Sequence, residues 1–142
     1  TGVQTCALPI LRGIVSQRLV PRLCAACAEE VKLEKGLLEQ LRGAGILDAN
    51  ETCKVWNAKG CTHCRMTGQK GRLGLYEVLV MTPSLRDAIE KSATLLELQQ
   101  SAPADSYVSM RRYAKFVMDR GLVAPRDLLE ILPAVAKVQE VS

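Results

Sequence analysis

Two Cys-x-x-Cys pairs, Cys24-Ala-Ala-Cys27 and Cys61-Thr-His-Cys64, constrain this chain more than any other feature. Two residues between thiols let both sulfurs of one tight turn reach the same ion while backbone N–H groups point at them. A pair of such turns can close a tetrahedron of four thiolates, the usual structural zinc arrangement. The stretch from Ala28 to Gly60 must then leave and return to one point. It is longer than a minimal zinc ribbon needs, but a helix and a strand fit there. The expected ligands are Cys24, Cys27, Cys61 and Cys64, holding a structural Zn²⁺. Iron suits four thiolates as well, so the spacing leaves both metals open. A thioredoxin-like redox pair would need only one motif beside a βαβ pattern, and disulfides would need an oxidising compartment. His63, inside the second pair, is expected to point outward, with a Cys₃His set as the minor alternative. Cys53 is expected to behave as a small buried hydrophobe and to be the nearest substitute ligand.

Length and composition narrow the class. A chain of 142 residues is about one domain by length, and its 48% apolar content supports a core. With one Trp, three Tyr and one Phe, aliphatic side chains must fill that core. The net charge of +4 is mild and carries no strong basic stripe, so no nucleic-acid partner is expected. No apolar run approaches the roughly 18 residues a membrane span requires, and the start has no signal-peptide layout. These features read as a soluble cytoplasmic protein. The opening TGVQTCALPI is similar to a translated sequencing-adapter oligonucleotide, codon for codon. On that reading residues 1–10, Cys6 included, do not belong to the natural protein, which would begin upstream.

Periodicity predicts a fold that is α+β but mainly helical: a pair of zinc knuckles, a short β-hairpin and a helical C-terminal tail. Leu11, Ile14, Val15, Leu19 and Leu23 suggest a helix over 11–23, ended or kinked by Pro21. Leu33, Leu37, Leu38 and Leu41 suggest a second, over 32–42, stopped by Gly43 and Gly45. Cys53–Trp56 and Arg72–Val80 read as two strands pairing with each other around the second knuckle. Thr82 and Pro83 form a helix start. The stretch 101–105 reads as a break. Tyr107, Met110, Ala114, Val117 and Met118 mark the inner face of a helix over 107–120 that Gly121 ends, and Pro125 opens the last helix, with Leu128, Leu129, Ile131 and Leu132 inward. The expected division is a helix at 11–23, a zinc-binding subdomain at 24–80 and a helical subdomain at 81–142.

Several stretches together resemble the ATPases of type II secretion and type IV pilus assembly. Gln17-Arg18-Leu19-Val20-Pro21-Arg22-Leu23-Cys24-Ala-Ala-Cys27 resembles their AQRLVRxLCxxC segment. The run from Gly60-Cys61 through Cys64, Gly68, Gly71-Arg72, Gly74 and Tyr76-Glu77 resembles their GCxxCxxTGYKGRxGxYEvL segment. Ser109-Met110 to Asp127-Leu-Leu-Glu130 resembles their closing helices. Gln69 replaces a usual aromatic, and Val123-Ala-Pro125 replaces a usual Thr-Ser cap. The resemblance implies a ring-forming ATPase, expected as a hexamer through a RecA-like core. It would work with platform proteins at the cytoplasmic side of the inner membrane to drive pilin or pseudopilin assembly. It also implies that 11–23 closes that core. ATP and Mg²⁺ would bind only in the core, because this chain has no G-x-x-x-x-G-K-[ST], and Gly68-Gln-Lys70-Gly71-Arg72 is not one. No catalytic residue is expected here. A zinc-ribbon nucleic-acid module, using Arg111, Arg112, Lys115 and Arg120 on phosphates, is the alternative reading. A third is a redox or metallochaperone protein using the same thiols.

Overall fold

The computed structural model describes residues 10–102 and 106–132. Apart from Ile10, the adapter-like start lies outside the described residues, as does Cys6, and so does most of the expected break at 101–105. The elements in order are β1 (Gly13–Leu23), β2 (Ala28–Val31), α1 (Lys35–Gly43), β3 (Val55–Ala58), a 3₁₀ turn (Thr62–Cys64) and β4 (Gln69–Val80). They continue as α2 (Pro83–Glu90), α3 (Leu95–Ser101), β5 (Tyr107–Val108), α4 (Met110–Asp119) and α5 (Pro125–Ile131).

The fold is α+β with substantial antiparallel sheet, and the expectation of a mainly helical chain is corrected. The segment 11–23 is a strand of 11 residues. Its apolar spacing fitted a helix, but Ile14, Val15 and Leu19 are all at least half exposed, while Val20 and Leu23 are buried. The β-branched Ile14, Val15 and Val20 favour extended backbone. Pro21 is tolerated because β1 is the edge of the sheet ordered β1-β4-β5. Leu23 sends its N–H to the Leu122 carbonyl while its neighbour Cys24 sends its own to Gly68, just before β4. Two residues before Leu23, Pro21 therefore has its missing N–H on the side away from β4, where no ladder bond is lost.

The expected hairpin is corrected too. β3 does not pair with β4. It pairs antiparallel with β2, Ala28 facing Ala58 and Val31 facing Val55, whereas β4 pairs with β1 and with β5. The reason lies in the knuckles. Each Cys-x-x-Cys turn joins two strands, β1 to β2 and β3 to β4, and joining the turns back to back pairs the first strand of one with the last of the other. The segment between β3 and β4 is the second Cys-x-x-Cys turn, not a two-residue hairpin turn.

Two compact units result. Of the described residues, one unit joins 10–17 with 76–102 and 106–110, and the other joins Arg18–Leu75 with 111–132. In the first, Met81 and Leu85 form a small core with Leu11, Leu79, Ile89 and Leu98 packed on it. Thr82 caps α2 by accepting the Leu85 N–H, with Pro83 at the first turn. Thr94 and Glu97 close a capping box on α3. The start of α2 is the expected one, whereas Tyr107, expected in the helix that follows, lies in β5. In the second unit Leu41, Val55, Leu75, Val117, Met118, Val123 and Leu128 are buried. On α4, Met110, Ala114, Val117 and Met118 are all within 3% of full burial, as their spacing required. Gly121 turns left-handed at φ 68°, and its Cα hydrogen faces the Trp56 ring so closely that a Cβ would lie 2.6 Å from it. Arg18 donates to the Ile131 carbonyl at 2.6 Å and so satisfies an end group of α5.

Candidate metal centre

Cys24 ends the first long strand and Cys27 precedes β2, with the Cys27 and Ala28 N–H groups donating to the Cys24 carbonyl at 3.2 and 2.9 Å. The second turn is tighter. The Met66 N–H donates to the Cys61 carbonyl at 2.8 Å, and the Thr67 hydroxyl donates to the Cys64 carbonyl at 2.6 Å. Gly60 enters this turn at φ 91°, and a Cβ there would lie 2.6 Å from the Met66 carbonyl oxygen, so the position admits only glycine. Arg65 and Met66 follow with φ of 54° and 64°, two non-glycine residues in the left-handed region.

The fold brings the four thiols together. The Sγ atoms of Cys24, Cys27, Cys61 and Cys64 all lie within 4.8 Å of one another. Cys24 and Cys61 are 3.9 Å apart, Cys27 and Cys64 3.9 Å, and Cys61 and Cys64 3.7 Å. A tetrahedron with metal–sulfur bonds of about 2.3 Å has edges of about 3.8 Å, so the donor set fits a four-coordinate ion. The Cys61 and Gly68 N–H groups point at the Cys64 sulfur at 3.1 and 3.3 Å. Burial opposes charge on Cys64, but these N–H donors, with the Cys61 and Cys27 thiols, outweigh it and draw its pKa down to about 6. Burial pushes Cys27 up to about 12, against a lowering hydrogen bond from the Gly60 backbone. Four cysteines in this arrangement could hold a metal ion, and the arrangement leaves no position for a water.

The remaining candidates fall outside the cluster. His63 is exposed, with its Nε2 2.8 Å from the Lys70 ammonium. Cys53 is half-buried in the loop before β3, its pKa raised first by burial and then by the Asp119 carboxylate. Arg22, Arg65 and Lys70 are exposed around the cluster. The four cations of the alternative reading are divided: Arg111 donates to the Ala44 carbonyl at 2.6 Å, Lys115 pairs with Asp119 at 3.1 Å, and Arg120 lies 3.5 Å over the Phe116 ring. Sequence reading missed the Gly68 N–H as a thiolate donor. The Gly after the second knuckle was its only signal.

The pattern of the family described as type II/IV secretion system protein matches residues 3–139. The chain belongs to that family. It is 31% identical over 84% of its length to the type IV pilus assembly ATPase PilB of Thermus thermophilus. It is 33% identical over 81% of its length to the PilB of Acinetobacter baylyi, and 28% identical over 85% to the type II secretion system protein E of Klebsiella pneumoniae. It spans 13%, 20% and 23% of those three proteins. As a member of the type II/IV secretion family, the chain is related to ATPases of secretion and pilus assembly. Among the described residues no helix is long and apolar enough to cross a membrane.

Proposed function

We propose that this chain is a metal-bound coupling module of a secretion or pilus-assembly motor, and that the nucleotide is bound by sequence beyond it. The observation that carries the reading is the closed set of four thiols at tetrahedral separations inside a chain of this family. Cys24, Cys27, Cys61 and Cys64 would hold Zn²⁺, and the ion would supply a rigid cross-link with no open position for chemistry. It would fasten the end of β1, the start of β2, the end of β3 and the start of β4 at one point. Force delivered to any one of these strands would reach the others without unravelling the loops. The motor itself would be a ring, a hexamer in our reading, on the cytoplasmic side of the inner membrane, working against platform proteins that pass pilin or pseudopilin subunits. The phosphate-binding reading of α4 is disfavoured because two of its four cations are committed within the fold.

The test is a chimera in which residues 11–132 replace the matching segment of the Thermus thermophilus PilB. Pilus assembly and ATP turnover should both survive the exchange. With Cys61→Ser and Cys64→Ser, turnover should persist while assembly falls. Full assembly by a chimera lacking all four cysteines would end the coupling role.

A further inference from the structure

From Thr52 to Tyr76 the sequence carries Lys54, Lys59, Arg65, Lys70 and Arg72 and not one Asp or Glu. The structure divides these cations. Lys54 and Lys59 are neutralised by Glu30 and Glu29 of β2 at 3.1 and 2.7 Å. Among the described residues Arg65 and Arg72 have no acidic partner, and Lys70 meets His63. Arg22 adds a further exposed cation, because the Cys24 N–H bonded to the Gly68 carbonyl lays its strand end beside the start of β4. Four thiolates on a divalent ion would leave about two negative charges to offset, and these four cations exceed that.

The knuckle loop also exposes Met66, 69% accessible and held left-handed beside Arg65. A left-handed conformation is costly for both residues, and such strain collects where a loop meets something. The ring that stands among these cations, the His63 imidazole, is small and already engaged by the Lys70 ammonium, which leaves a nucleic-acid base little to stack on. Unpaired cations around a projecting, flexible apolar side chain instead match the chemistry of an anionic membrane surface: the charges are drawn to the headgroups and the apolar group enters the boundary.

We infer that the second knuckle seats on an anionic lipid bilayer through Arg22, Arg65, Lys70 and Arg72, with Met66 entering the headgroup layer. The inference rests on the metal reading, since the ion fixes the shape of the loop. Metal content is therefore measured on every sample, and loss of the ion from the wild-type chain would count against the metal reading and not against the lipid contact.

The experiment is co-sedimentation of the metal-loaded chain with vesicles of phosphatidylglycerol and phosphatidylcholine in equal parts, and with vesicles of phosphatidylcholine alone. Binding should occur only to the first and should weaken as salt is raised. At roughly fivefold per cation near an anionic surface, Arg65→Glu with Arg72→Glu should weaken it at least 20-fold. The double variant should keep the wild-type metal content and melting temperature, because both side chains are exposed and have no acidic partner among the described residues. Met66→Ser should weaken binding a few-fold without changing its salt dependence. Absence of wild-type binding to the anionic vesicles, or equal binding by the double variant, would overturn the inference. So would tighter binding of the same loop to polyglutamate or to oligothymidylate, which would assign the surface to a protein or a nucleic acid.

Discussion

On the proposed metal reading, replacing any one of Cys24, Cys27, Cys61 or Cys64 by Ser removes one corner of a closed tetrahedron, and a water could take its place only by loosening a turn. Each change should lower zinc affinity and melting temperature by a similar large margin, on the order of several kcal/mol of folding free energy. Cys53→Ser and His63→Ala should do much less, because Cys53 stands outside the cluster and His63 contacts Lys70. Metal analysis of each variant checks this, and one zinc per chain kept in Cys61→Ser but lost in Cys53→Ser would refute the assignment. Gly121 makes a second residue-scale case. An added Cβ would meet the Trp56 ring at 2.6 Å, at a backbone conformation of φ 68°. Left-handed strain and overpacking together should cost Gly121→Ala about 2–4 kcal/mol in urea melts. Gly36→Ala, where nothing lies within 4 Å, should be neutral or slightly stabilising. Both glycines are visible in the sequence, but only the neighbour that each meets separates them.

At the scale of the element, α4 has the amphipathic face its sequence spacing prescribes. Val117 is 1% exposed, and burying an unpaired carboxylate there should cost about 4 kcal/mol or more, a large part of a typical domain's stability. Val117→Asp should accordingly unfold the unit or drop its melting point far below that of Arg126→Ala, an exposed position expected within about 0.5 kcal/mol of wild type. Arg111 looked like an equally innocent surface position. Its bond to the Ala44 carbonyl changes that, and Arg111→Ala should cost about 1–2 kcal/mol. Equal denaturant melts for Val117→Asp and Arg126→Ala would mean that the buried face is misplaced. The misreading of β1 has the opposite origin. In 11–23 the same residues satisfy a helical period and a strand with two exposed faces, and no local signal ranks them.

For the whole molecule, the two compact units make chelation informative. All four cysteines belong to the unit of Arg18–Leu75, while α2 and α3 hold themselves with their own caps and the Met81–Leu85 core. Metal removal should raise amide exchange in both knuckles, β2 and β3 together, and change α2 and α3 little. Exchange that rises equally in α2 and α3 would show that the ion stabilises more than its own unit. The chain alone should also show only background ATP turnover, since it carries no phosphate loop. Sustained turnover abolished by a substitution within 11–132 would contradict that.

The sequence alone determined what local chemistry can specify. The thiol spacing picked out the four cysteines that the fold brings together, the Thr82 and Pro83 start and the Gly121 stop placed helix ends, and the apolar period of α4 placed its buried face. Each depends on residues within a turn or two of one another. Tertiary structure decided which strands pair, because any two extended segments satisfy each other's backbone equally well. It was the meeting of the two knuckles, far apart in the chain, that sent β3 to β2 and left β4 for β1. The same long-range closure made 11–23 a strand: an isolated stretch of that composition has no partner for its N–H and C=O groups except itself, and β4 supplies one.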